Sequence, residues 1–377
     1  MSLGLVGGDV VTSRGVLPGG WVHVRGDRIV GVGSVDEPPP ASGTRVDCAG
    51  FTLVPGFVEI HAHGGGGGGY EEGPASVATA LATQRAHGTT TSIASLVSLP
   101  LPRLRRALGE LAEFVRSGEL AGVHLEGPWL AGTRCGAHNP AWLRPPEPGE
   151  VREVLEAGAG TIRMVTLAPE LEGGLAAIST LAGAGVVAAV GHTEADFALT
   201  NAAVDAGATV ATHLFNAMPA ALSREPGPVL ALLADPRVTV ELIADGVHLH
   251  AAWVRQVLAA AGPGRVAMVT DAIAAAGMPD GAYTLGGGHV RVAGGVARML
   301  SNNALAGGVT TSDVLFRRAV QEYGLSVADA ARVTATTPAA ALGLSDVGQL
   351  ASGLRADVVL LDSALTVSRV LRAGRWL

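Results

Sequence analysis

Lysine does not occur in this chain. All 26 basic residues among its 377 are arginine. A coding bias toward GC-rich codons is the simplest cause, but the absence has a chemical consequence. A metal pair bridged by a carbamylated lysine is excluded, so any bridging ligand has to be an Asp or Glu carboxylate. Cysteine is nearly absent too: Cys48 and Cys135 are the only two. They cannot build a disulfide framework, which fits a reducing, cytoplasmic setting. Charge is scarce at 16%, against a hydrophobic fraction of 48%, the balance of a chain with a large buried parallel core. Acids outnumber bases, and the net charge of -7 argues against a nucleic-acid or anionic-membrane partner. The N-terminus, MSLGLVGGDVVTSRG, shows no basic region ahead of an apolar core, so no secretory leader is expected. The longest stretch without charge, residues 173–191, is broken by Gly183 and Gly185. It reads as a short helix followed by the strand VVAAV rather than as a membrane span.

What is present is alternation. Residues 1–54 run as short apolar–polar alternating segments between Gly-rich turns, and residues 345–377 do the same. The region between, 55–344, alternates strand-like and helical runs. The expected class is therefore α/β: a (β/α)₈ TIM-like barrel inserted into a small β-sandwich domain formed by both termini. Eight strands are expected at 56–60, 89–95, 122–126, 162–167, 186–190, 209–213, 238–244 and 265–271. Residues 283–300 read as a hairpin-like excursion after the eighth.

Five segments carry a potential metal ligand or acid at a strand end: GFVEIHAHG, GVHLEGPW, AVGHTEA, VATHLFNAMP and AMVTDA. A lone HxH pair is more often structural, but five such segments in barrel order point to one divalent-metal site at the C-terminal mouth. His61 and His63 are two apart and share a face. The six glycines after them, 64–69, read as a segment that packs no core and lets backbone approach a metal or substrate. Glu126 ends the third strand, where an unpaired buried carboxylate would be costly without a cation. His124, two residues deeper, is expected to support the site rather than ligate. His192 and His213 end strands five and six. Asp271 ends strand eight, where a carboxylate beside a metal-activated water serves as general base and then acid.

HLEGPW, GAHNP, GHTEA, THLFNAMP, SREPG, LIADGVH, VTDA and LAGG, in that order, resemble the N-acetylglucosamine-6-phosphate deacetylase family of the amidohydrolase superfamily. The resemblance spans nearly the whole chain. It implies Glu126, His192 and His213 as main metal ligands, with His61 and His63 giving capacity for a second ion. It implies Asp271 as the catalytic aspartate, and His138 as the group that polarises the acetamide carbonyl beside Ala137. Asn216, Ala217, Arg224 and His248 are implied to hold the sugar phosphate, and Leu305, Ala306 and Gly307 to run along the sugar. Arg224 and His248 also have a physical rationale, since a dianionic ester favours a guanidinium fork and an imidazole.

The resulting expectation is a cytoplasmic hydrolase that removes acetate from a phosphorylated amino sugar. Its cofactor is one or two divalent ions, zinc first, with Fe2+, Mn2+ or Co2+ as alternatives, and the family implies a homodimer. Two rivals stand beside it. One is a related amidohydrolase acting on another N-acyl sugar, a cyclic amide or a purine. The other is a catalytically silent scaffold on the same fold.

Overall fold

A computed structural model describes residues 2–37, 39–40 and 43–377. The chain divides into two compact units. One comprises residues up to Glu59 with Gln84–Thr91 and Thr311–Leu377; the other comprises Ile60–Thr83 and Ser92–Thr310.

The first unit carries a mixed sheet built from both ends of the chain. Arg375–Trp376, Val367–Arg372, Val358–Leu361, Thr52–Pro55, Ser2–Thr12, Gly15–Arg25 and Arg28–Gly33 follow one another across it, with Thr44–Asp47 also on Ser2–Thr12. Its alternating apolar positions make one core, in which Leu5, Val22, Ile29, Leu53 and Val358 are fully buried. Burying side chains of this size contributes about 1.5–3 kcal/mol each.

The second sheet has eight strands, running in space from Phe57–Glu59 through Thr89–Leu96, Gly122–Glu126, Ile162–Leu167, Val187–Val190, Ala208–Ala211 and Thr239–Leu242 to Val266–Met268. Its ladders from Thr89–Leu96 onward are parallel. A parallel bridge from Ala62 to Ala272 joins the extensions of the first and last strands. Helices alternate with the strands as expected. Leu101–Arg116 shows why: Leu104, Ala107, Leu108 and Leu111 recur at i, i+3, i+4 and i+7 and are buried, while Arg103, Arg105 and Arg106 stay exposed. None of the helices described is long and apolar enough to cross a membrane.

Two expectations need correction. Residues 283–300 do form an antiparallel excursion, but of three strands where a hairpin has two: Gly281–Leu285, Gly288–Ala293 and Val296–Met299. Its inward residues Leu285, Val290, Val292 and Met299 pack on Ile273, Ala275 and Val97. Ala297 and Met299 of the third strand extend that apolar face. The six glycines are no loose segment either. Gly64–Gly65 pairs with Gly68–Gly69 in a buried two-stranded ladder. Its backbone donors reach the AIAAA segment: Gly64 N to Ala272 O at 2.9 Å, Gly67 N to Ala274 O at 2.7 Å, Gly66 N to Ala276 O at 2.8 Å. The lack of side chains is a packing requirement, because a Cβ on Gly64 would lie 2.2 Å from Gly68 O and one on Gly68 2.4 Å from Ser76 O.

Two alanine substitutions should therefore move stability in opposite directions. Gly68→Ala meets fixed backbone and should cost about 1–3 kcal/mol, the usual range for overpacking. Gly109→Ala lies in the exposed interior of a helix with nothing within 4 Å of its Cβ, and should stabilise by about 0.5–1 kcal/mol. Urea unfolding of both variants measures the pair; equal effects would show that the glycine ladder is not tightly packed.

Candidate active site

Five imidazoles converge on one carboxylate. Glu126, 3% exposed, is the last residue of Gly122–Glu126. Its Oε1 lies 3.0 Å from His192 Nε2, 2.9 Å from His213 Nε2 and 3.5 Å from His61 Nε2. Its Oε2 lies 3.2 Å from both His63 Nε2 and His138 Nε2. Asp271 closes the ring from the eighth strand's extension, with Oδ1 3.2 Å from His63 Nε2 and 3.6 Å from His61 Nε2. Burial would raise the Glu126 pKa, but the imidazoles of His61, His138 and His192 hold it well below the ordinary carboxylate range. Burial raises Asp271 as well, and His61 and His63 outweigh it, so its pKa is lowered.

The second ring nitrogen of each histidine decides what the first can do. His192 Nδ1 is 2.7 Å from Arg134 O and His63 Nδ1 is 3.1 Å from Ser95 O. A carbonyl only accepts, so in both rings Nδ1 carries a hydrogen, and Nε2, facing Glu126, is the atom available to offer a lone pair to a metal. His138 is wired the other way. The Ser98 backbone N–H donates to its Nδ1 at 3.1 Å, so Nε2 carries the proton and points at Glu126. Burial lowers the His138 pKa to about 4 against the opposing pull of Glu126. His138 is thus a neutral N–H donor, whereas His63 and His192 can offer Nε2 lone pairs to a metal.

Two groups share Glu126: His61, His63 and Glu126, and Glu126, His192 and His213. In each, the donor atoms lie within 4.8 Å of one another. His192 and His213 bring their Nε2 atoms to 3.1 Å, an approach that a cation between them relieves. A carboxylate with several imidazoles is the donor set of a divalent transition ion, so the residues fit such an ion. His124 stays outside both groups because both its nitrogens are used, Nδ1 on Ser95 Oγ at 2.9 Å and Nε2 on Thr166 Oγ1 at 2.8 Å. Cys135, half-buried, belongs to neither.

The strands end earlier than the sequence suggests. Ala208–Ala211 stops two residues before His213, and Val266–Met268 stops three before Asp271. His192, His213 and Asp271 all have left-handed backbone, with φ of 49°, 26° and 47°. A strand ladder cannot continue through that conformation, which costs about 1–3 kcal/mol at a non-glycine residue and gathers at functional sites. Gly307 leaves room for this turn: at φ 84°, a Cβ there would lie 2.6 Å from Asp271 O.

A cavity of about 340 Å³ opens over the cluster. Its walls include His63, Glu126, His138, His192, His213 and Asp271, and also Ala137, Asn216, Ala217, His248, Leu305 and Gly307. His248 Nδ1 is 2.8 Å from Asp245 Oδ2. Burial lowers the His248 pKa, but this carboxylate outweighs it and the net shift is upward. Three expected residues are not in the wall, and one of them, His61, lies fully buried behind it. Ala306 is fully buried in the apolar cluster under the three-stranded sheet. Arg224 is exposed on a surface turn closed by Leu222 N to Glu225 O at 2.9 Å, while Glu225 Oε1 accepts from Phe197 N and Gly227 N. Conversely, the wall contains Thr133, Arg134, Val97, Ile243 and Leu285, which sequence reasoning missed. Beneath it lies Glu241, fully buried, with Oε2 3.0 Å from His61 Nδ1. Its signal was legible: it is the one charged residue in the apolar strand VTVELIA.

Alanine at Glu126, His192 or His213 opens the group that shares Oε1 of Glu126. Each of the three variants should lose bound divalent metal and activity together, measured as metal content by elemental analysis of purified protein. Full metal content in the His213→Ala protein would remove that group from the site.

The model of the amidohydrolase family matches residues 52–377. The N-acetylgalactosamine-6-phosphate deacetylase of Escherichia coli O157:H7 is 38% identical over 94% of this chain and 95% of its own length. The N-acetylglucosamine-6-phosphate deacetylase of Bacillus subtilis is 32% identical over 97% and 94%. Among solved structures, a mutant of the Mycobacterium smegmatis N-acetyl-D-glucosamine-6-phosphate deacetylase in complex with N-acetyl-D-glucosamine-6-phosphate superposes with a TM-score of 0.95 at 49% identity, over 100% of this chain and 98% of that one. With most of its length matched by the family model and nearly full-length relatives at 32–49% identity, this chain belongs to the amidohydrolase family, in its group of N-acetylglucosamine-6-phosphate deacetylases.

Proposed function

We propose that this enzyme hydrolyses the acetamide of N-acetyl-D-glucosamine 6-phosphate, giving D-glucosamine 6-phosphate and acetate. One observation carries the reading: a carboxylate, Asp271, and a neutral imidazole N–H, His138, line the same cavity as the metal-ligating set. Amide hydrolysis needs that combination, a group that takes and returns a proton and a donor for the carbonyl oxygen. A divalent ion held by Glu126, His192 and His213, with His61 and His63 for a second, supplies Lewis acidity that brings a water pKa near 7. Zinc is the ion proposed, with Fe2+, Mn2+ and Co2+ as alternatives.

Asp271 takes a proton from the attacking water, whose oxygen bonds the acetyl carbon. His138 Nε2–H donates to the carbonyl oxygen as negative charge builds there. The proton on Asp271 then passes to the sugar nitrogen as the C–N bond breaks, so acetate and the free amine leave together. The 6-phosphate is assigned to His248 and the backbone at Asn216 and Ala217, with Arg224 as the guanidinium from the exposed turn that follows in the chain. Leu305 and Gly307 border the sugar, and Ala306 supports them from the apolar core. A homodimer, a cytoplasmic setting and a division into a terminal β-domain (1–54, 345–377) and a barrel (55–344) complete the proposal. The galactosamine isomer is the second reading, because of the 38% identity to the Escherichia coli protein named for it.

Acetate release from both N-acetylhexosamines, with and without the 6-phosphate, tests the assignment. The 6-phosphates should be the substrates, and Asp271→Asn should cut their turnover by at least about 10²-fold while the protein keeps its metal. Wild-type turnover in that variant, or no preference for phosphate, would sink the reading.

His248 adds a pH dependence with a definite sign. Its folded pKa is raised by Asp245, so the cation that attracts phosphate is present below that pKa and is lost as pH rises through it. KM for the phosphorylated sugar should therefore rise on the alkaline side. Asp245→Asn should move that limb to lower pH. An unchanged limb would detach His248 from phosphate binding.

A further inference from the structure

We infer that Glu241 is the positioning residue that makes His61 a metal ligand; the inference rests on the reading of the site as a metal centre. Glu241 lies inside the strand Thr239–Leu242 and is fully buried. A carboxylate in that place is expensive unless something requires it. A single oxygen, Oε2, sits 3.0 Å from His61 Nδ1 and 3.2 Å from the backbone N–H of His213, and the other, Oε1, has no hydrogen-bond partner among the described residues. One carboxylate oxygen therefore holds two residues drawn from the two groups that share Glu126.

The consequence for His61 is geometric. Neighbouring rings enclose its imidazole, with His124 edge-on at a centroid distance of 4.7 Å and His213 stacked at 5.4 Å. A bond from Nδ1–H to Glu241 fixes the tautomer and turns the Nε2 lone pair toward Glu126 and Asp271. His63 and His192 obtain the same setting from main-chain carbonyls, Ser95 O and Arg134 O. His61 alone of these three takes it from a side chain that mutation can remove. A ligating histidine held by a carboxylate binds metal more tightly, and losing such a partner typically costs 10–100-fold in affinity.

The test is whether removing Glu241 reproduces the removal of His61. Co2+ titration of the apoprotein, followed by visible absorption and by calorimetry, reads stoichiometry and affinity in the wild type, Glu241→Ala, His61→Ala and the double variant. Glu241→Ala should weaken the same class of Co2+ site as His61→Ala, by about 10–100-fold. The double variant should lose no more than His61→Ala alone, because the two residues act as one unit. Glu241→Gln, which keeps an oxygen where Oε2 lies, should recover most of the affinity and guards against an unfolded alanine variant; circular dichroism monitors the fold. If His61→Ala weakens Co2+ binding and neither Glu241 variant does, the positioning role is overturned while the metal centre stands. Should neither residue affect Co2+ binding, His61 is no ligand and the positioning role falls, while the group of Glu126, His192 and His213 stands. Additive losses in the double variant would make Glu241 a general structural group and also overturn the proposal.

Discussion

The cost of burying the carboxylate of Glu126 organises the active site. An isolated carboxylate at 3% exposure would protonate or pull the strand out of place. Five imidazoles surround it instead, delivered from four parts of the second unit. His61 and His63 come from the extension of the first barrel strand, His138 from the loop after the third, and His192 and His213 from turns after the fifth and sixth. The outer nitrogens of His61, His63, His138 and His192 are held by Glu241, Ser95 O, Ser98 N and Arg134 O. The site is thus one buried charge ringed by imidazoles, of which His138 donates a hydrogen bond to it. Its chemistry depends on which nitrogen of each ring is left facing inward.

The same constraint explains the backbone. Placing a histidine lone pair or a carboxylate at the mouth of a parallel sheet means leaving the ladder just before that residue. His192, His213 and Asp271 do so through left-handed turns that favour glycine. The surroundings absorb the strain by giving up side chains. Gly307 makes room against Asp271 O, and the glycine ladder 64–69 lies flat on the alanines that follow Asp271. AIAAAG and GGGGGG are two halves of one contact, a relation that neither segment reveals alone.

Most of the barrel was legible because its signals are local. A strand such as GVHLE or IRMVTL declares itself by length and β-branched content, and both have the bounds expected for them. The convergence of His61, His63, His192, His213 and Asp271 on Glu126 was legible because five strand ends carry ionisable residues in barrel order. The third antiparallel strand after Asp271 was not, since VARM is too short and too polar to read as a strand without the apolar face it completes. Arg134 escaped notice because nothing in its spacing distinguishes it from a surface arginine. Ala306 and Arg224 were placed by motif, and motif gives order along the chain rather than distance from a cavity.

What the sequence determined by itself was therefore the kind of chemistry: carboxylates and imidazoles at strand ends, no lysine to bridge a metal pair, and an apolar parallel core to hold them. The tertiary structure alone decided the role of each nitrogen. His138 and His192 are the same residue type on comparable loops, yet one meets a backbone N–H and the other a carbonyl, so one donates a proton and the other a lone pair. That difference is a matter of which main-chain atom lies about 3 Å away. No pattern of residues along the chain encodes such a contact, because the partners are brought together only when the barrel closes.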